Sequence, residues 1–211
     1  MRLNFGDISN LFLVITAVIA WFSYTKYKST PLKYLPIYLT YAAILENVAN
    51  ILLTVAQSNT WWYNIGINIE ILFFLHLYYN YIKNKKNKKF LLICAIIYEV
   101  YFLINVFILE SWNDYQVFPF TVGGIFIIIF VFAFLLEMFQ SSKILHTQKY
   151  LIFWISLGVL FYNIIPLPLF VTRSILSNYE LSQMMVIQYL ANIIMYLLFI
   201  YGFIWSSMKY K

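Results

Sequence analysis

Apolar residues run along this chain in long, nearly unbroken stretches, separated by short tracts that gather most of the charge. A helix needs about 18–20 apolar residues to cross a hydrocarbon core of about 30 Å. Seven stretches keep that length: 8–25, 34–57, 61–82, 90–109, 116–139, 150–172 and 182–207. The second, third and sixth contain polar residues without losing it. The pattern predicts an all-α, polytopic membrane bundle of seven transmembrane helices, a single domain over residues 1–211.

Charge orients the bundle. Twelve lysines fall on one side, in the tracts after the first, third and fifth stretches and in the tail; the other side has only Arg2 and Arg173. The excess of lysine and arginine on cytoplasmic loops places the twelve inside, with the N-terminus out and the C-terminus in, as expected for a multi-pass protein of the inner membrane. Cleavage of the first stretch as a signal peptide after Val18-Ile19-Ala20 would force Lys26, Lys28 and Lys33 outward, so it reads as a retained helix. The six tryptophans lie near predicted helix ends, where indole rings favour the headgroup level.

Composition agrees. The chain is 63% hydrophobic and 10% charged, against about 25% charged in soluble domains. Its net charge of +6 sits between membrane stretches, so no nucleic-acid partner is expected; membrane lipids are. A single cysteine, Cys94, leaves no internal disulfide and no cysteine-rich metal site.

Polar residues inside the bilayer are costly and become candidates for function. At about 1.5 Å per residue, Glu46, Glu70 and Glu99 lie near the predicted midplane, while Glu137 lies near the cytoplasmic end of the fifth helix. Ala43, Glu46, Asn47, Asn50, Thr54 and Gln57 recur every three or four residues, one face that should point into the bundle. Gln188 and Asn192 share a face of the seventh helix, Ser156 and Asn163 of the sixth, Asn64 and Asn68 of the third. The expected pocket, for a small polar ligand or cation, is built from Glu46, Asn47, Asn50, Glu70, Glu99, Asn163 and Asn192. Pro166 and Pro168 break the sixth helix and either kink it or wall the pocket. His76 reads as a lone core histidine. Lys85, Lys86, Lys88 and Lys89 form a basic segment suited to anionic lipid or to docking a cytoplasmic protein.

An internal repeat is also legible. Lys33-Tyr34-Leu35 opens the second helix and Lys149-Tyr150-Leu151 the sixth, which sets Asn47 against Asn163; extra outer-loop residues then bring Glu70 against Asn192. This is a three-plus-one-plus-three plan of parallel triplets, as in some small transporters.

Known seven-helix classes fit poorly. The last helix has no lysine for a retinal Schiff base, and two histidines are too few for a zinc hydrolase. SWEET sugar transporters share the topology only. The residues Phe153-Trp154-Ile155-Ser156-Leu157-Gly158, Asn192-Ile193-Ile194-Met195-Tyr196 and Glu70, with lysine-, isoleucine-, asparagine- and tyrosine-rich usage, resemble a family of small, uncharacterised seven-helix membrane proteins of Bacteroidota; the resemblance implies no activity. Three functions are compatible with the residues. One is a receptor-like or sensory subunit signalling through a cytoplasmic partner. Another is a carrier of a small solute or protons. The third is an intramembrane enzyme, for which no nucleophile–base pair or metal set is present in the sequence, and no cofactor is implied.

Overall fold

The computed structural model describes residues 4–56, 58–109, 111–168 and 178–207. Every described element is helical. Seven helices have 14 residues or more: α1 (Phe5–Phe22), α2 (Leu35–Ala56), α3 (Thr60–Tyr81), α4 (Lys85–Ile104), α5 (Val117–Phe139), α6 (Leu151–Ile164) and α7 (Asn178–Trp205). Five segments are long and apolar enough to cross a membrane: Phe5–Phe22, Pro31–Ala56, Lys85–Leu109, Val117–Phe139 and Gln183–Trp205. The other two depart for separate reasons. α3 spans 22 residues but carries Asn64, Asn68, Glu70, His76 and Asn80. α6 is apolar but ends after 14 residues at Ile164, because Pro166 cannot supply the next backbone donor. Residues 169–172, at the end of the predicted sixth stretch, lie outside the described residues.

Local chemistry fixes the ends. α1 opens on a capping box, with Asp7 N–H donating to Asn4 Oδ1 at 2.8 Å and Asn4 N–H to Asp7 Oδ2 at 3.1 Å. α2 follows a 3₁₀ turn that starts at Pro31, where the missing N–H costs nothing. α4 begins five residues earlier than its apolar stretch, so the lysine run is helical rather than a loop. A cationic first turn opposes the helix dipole. Two groups offset this: Asn84 Oδ1 accepts from Lys86 N–H at 2.9 Å, and Glu137 of α5 accepts from the N–H groups of Lys83 (2.7 Å) and Asn84 (3.3 Å). Glu137 thus ties α4 to α5.

Packing follows a ring. α7 packs on α6 and α1, α1 on α2, α2 on α3, α3 on α5, and α5 on α6. α4 lies outside this six-helix ring, against α3 and α5. Small residues make the close approaches. A Cβ on Gly158 would stand 2.7 Å from the Phe199 ring, and one on Gly202 2.7 Å from Trp154 Cβ, so α6 and α7 meet nearly backbone to side chain. The outward surface is apolar, including Phe22, Val55, Phe107 and Ile108; in water such a surface would be an aggregation site, and in a bilayer it is solvated. The chain is therefore read as a multi-pass membrane protein.

Both ends of the ring are latched. At the lysine-rich end, Lys26 Nζ donates to the carbonyls of Phe203 (2.7 Å) and Ile204 (3.4 Å) at the C-terminus of α7, a favourable place for a cation. At the opposite end, Asn64, Asn105 and Gln116 form a buried amide knot. Asn64 donates to the carbonyls of Trp112 and Asp114, both at 2.9 Å, and accepts from Gln116 N–H at 3.3 Å; Asn105 donates to Gln116 Oε1. Asn64→Ala strands the Trp112 carbonyl and the Gln116 N–H, at about 1–3 kcal/mol for each unmet partner, while the Asp114 carbonyl keeps its bond from Gln116 Nε2. Thermal unfolding of the purified variant should show a loss on the order of 3 kcal/mol; an unchanged transition would mean the knot is not structural.

Three tryptophans spend their N–H on acceptors of the protein itself. Trp21 donates to Thr40 Oγ1, Trp62 to the Leu45 carbonyl and Trp154 to the Gln148 carbonyl. His76 is exposed and paired with Asn80 at 3.1 Å, so it is a surface histidine and not a core one.

Candidate functional site

A cavity of about 480 Å³ occupies the half of the ring nearest the N-terminus, within the range of about 300–1,000 Å³ typical of small-molecule sites. All six ring helices contribute to it, and no residue of α4 does. α2 lines it with Tyr38, Tyr41, Leu45 and Glu46; α3 with Tyr63, Gly66, Ile67 and Glu70; α7 with Gln188, Tyr189, Asn192 and Tyr196. These sets each recur at three- and four-residue steps, which is why each helix presents them together.

Four of the seven expected pocket residues meet here: Glu46, Glu70, Asn163 and Asn192. Tyr63 donates to Glu46 Oε2 at 2.9 Å. The phenols of Tyr38 and Tyr162 are directed at the Glu70 carboxylate as hydrogen-bond donors. Asn163 donates to its own helix at the Val159 carbonyl, 2.8 Å away, leaving its oxygen toward Gly124. Pro166 is buried in the cavity wall, so the break in α6 contributes surface to the pocket.

The other three stand elsewhere. Asn47 and Asn50 are exposed and do not line the cavity. The lining face of α2 is rotated by about 120° from the polar stripe read in the sequence, at about 100° per residue, and only Glu46 belongs to both. Local bonds explain how the stripe can face outward: Asn47 donates to the Ala43 carbonyl at 2.7 Å and Thr54 to Ile51 at 2.7 Å, which satisfies them within the helix. Gln57 lies outside the described residues. Glu99 belongs to α4 and accepts from Asn68 of α3 at 3.4 Å, at the contact between the ring and its peripheral helix.

What the sequence reading missed is tyrosine. Seven tyrosines line the cavity. Their signal was present in the spacing of Tyr38, Tyr41, Leu45 and Glu46, but tyrosine reads as an interfacial residue in a membrane chain.

A second cavity, about 430 Å³, opens the lysine-rich half of the same ring. Tyr27 and Leu32 from the turn between α1 and α2 line it, with Tyr81 of α3, Phe134 of α5, Ile152 of α6 and Ser206 after α7. Between the two cavities the helices carry a packed layer. Phe74, Tyr78, Val131, Ile155, Ser156 and Phe199 are all essentially inaccessible. Tyr78 crosses the ring interior from α3 to donate to Ser156 Oγ of α6 at 3.1 Å.

The basic segment is divided. Lys85, Lys86 and Lys89 are exposed, but Lys88 lies over the Tyr79 ring, its Nζ 4.3 Å from the centroid. Among the described residues no group of three or more histidine, cysteine or acidic side chains is placed to hold a metal ion. No family model, no curated protein and no solved structure matches this chain.

Proposed function

We propose that the chain is a seven-span protein of the inner membrane, N-terminus outside and C-terminus in the cytoplasm, that carries a small polar solute across it. One observation carries the reading: two cavities share one ring of helices and are separated by a single packed layer. A carrier needs a site reachable from each side in turn, with a barrier that can shift. The ring supports this further. Exchanging α1, α2 and α3 with α5, α6 and α7 maps its contacts onto themselves and leaves α4 as the odd connector. Leu35 and Leu151 are each the buried first residue of their helix after a 3₁₀ turn. Asn47 and Asn163 make the same bond to the carbonyl four residues back. These features support the reading of parallel triplets.

Accessibility tests both orientation and access. In a Cys94→Ser background, Thr121→Cys in the upper cavity should react with an impermeant maleimide from outside, and Ser141→Cys in the lower cavity only from the cytoplasmic side. Labelling of both from one side would overturn the arrangement. In proteoliposomes a carrier gives saturable flux of labelled solute.

The receptor-like reading keeps one observation of its own, the three exposed lysines that begin α4 beside the lower cavity. They suit an acidic cytoplasmic protein or anionic lipid headgroups. Ligand binding without flux, together with salt-sensitive co-purification of a cytoplasmic partner, would favour it.

A further inference from the structure

The upper cavity has an uneven charge. It contains two carboxyl groups, Glu46 and Glu70, and among the described residues no lysine, arginine or histidine lines it. Glu46 already receives a hydrogen bond from Tyr63, and the phenols of Tyr38 and Tyr162 are directed at Glu70. Those bonds orient the acids and supply no countercharge. Around them stand seven tyrosine rings, whose faces attract cations through the ring quadrupole. Met184, Met185 and Met195 add polarizable apolar surface. A further acceptor, Gln188 Oε1, is buried with no donor among the described residues; buried acceptors of this kind are normally satisfied.

From this geometry we infer that the upper cavity selects a small organic cation, an amine or quaternary ammonium compound, held between Glu46 and Glu70 within the tyrosine cage. The inference rests on the carrier reading for its setting, but concerns only what the cavity recognises. An anion meets two carboxyl groups and, among the described residues, no donor cation. A neutral sugar forfeits the charge complementarity. A bare metal ion finds two acids but not the dense oxygen shell that hard cations require, and most of the wall would be idle aromatic surface. An ammonium group with attached methyl or methylene carbons uses both the charge and the rings.

The test is equilibrium binding to the full-length protein in lipid nanodiscs with labelled choline as the probe. Its uncharged carbon isostere, 3,3-dimethylbutan-1-ol, serves as competitor alongside tetramethylammonium, sodium, glucose and glycine. The expected result is saturable choline binding, displaced by tetramethylammonium but not by the isostere or by equal sodium. Glu70→Gln and Glu46→Gln should each weaken it about 30-fold or more, the scale for removing one partner of a desolvated charge pair. Gly124→Val projects beside Asn163 into the cavity; it should block choline while leaving both acids in place, which keeps the test meaningful if a glutamine variant does not fold. Equal displacement by the isostere, or retention of full affinity in both glutamine variants, overturns cation selectivity and leaves the cavity as a solute site. Displacement by equal sodium shows an inorganic ion site and overturns the organic class. Binding of glucose or glycine without choline overturns the class alone. Absence of binding by every probe counts against both the class and the carrier reading.

Discussion

Tyr78→Ala should join the two cavities into one aqueous path. The side chain is fully buried, and its hydroxyl spans the ring interior to Ser156. Removing a large buried aromatic costs about 3–5 kcal/mol in a well-packed core, and here the void opens onto an existing cavity on each side. Proteoliposomes bearing the variant should lose a trapped proton gradient much faster than those with the parent chain. Tyr78→Phe should stay tight, because the ring persists and only one hydrogen bond is lost, worth about 0.5–1.5 kcal/mol. A tight Tyr78→Ala variant that folds normally would mean that other residues form the barrier.

Gly158→Leu is expected to be the most damaging single change to the bundle. Its Cβ alone would approach Phe199 Cε1 to 2.7 Å and the Met195 carbonyl oxygen to 3.1 Å. The ring can turn aside but the backbone oxygen cannot do so locally, so α6 and α7 must separate. Leucine gains about 1 kcal/mol of helix propensity over glycine. Overpacking costs about 1–3 kcal/mol even for a few methylenes in a tight core, and this site adds a four-carbon chain. The clash wins, and detergent-solubilised protein should aggregate well below the parent's melting temperature. Gly124→Ala is the contrast. Its Cβ meets only the ends of the Asn163 and Leu167 side chains, at 3.2 and 3.8 Å, so its stability should match the parent's. Equal melting of Gly158→Leu and the parent would refute the described α6–α7 contact.

The helices were legible because apolar length is a strong signal that needs no tertiary knowledge. α2 and α5 start and stop within one residue of their predicted limits. The fourth helix began early because Asn84 caps it, a local signal that apolar length does not register, and because Glu137, distant in sequence, holds the two residues before the first turn. The exclusion of α4 from the ring was invisible in the same way, since nothing in its composition separates it from its neighbours. Of the candidate site, Glu46, Glu70 and Glu99 were all picked out as midplane acids; the first two line the cavity and Glu99 does not, because it belongs to the peripheral helix. Asn47 and Asn50 misled because asparagine can satisfy its donor on its own helix, so polarity alone does not fix which face turns inward. Tyrosine was overlooked because its ring and its hydroxyl point to different environments, and only the folded ring shows both being used at once.

The closure of the ring also bears on how the protein is made. α1 emerges first from the ribosome, yet one of its principal neighbours is α7, the last helix described, and the Lys26 ammonium waits for carbonyls at positions 203 and 204. Through most of synthesis α1 can dock only against α2, with its remaining face toward lipid or the insertion machinery. Domains that complete themselves early can fold while translation continues; this ring stays an open crescent until α7 is released. The same seam makes the finished ring self-proofreading, because a chain stopped before α7 lacks a wall of the cavity as well as the partner of its first helix.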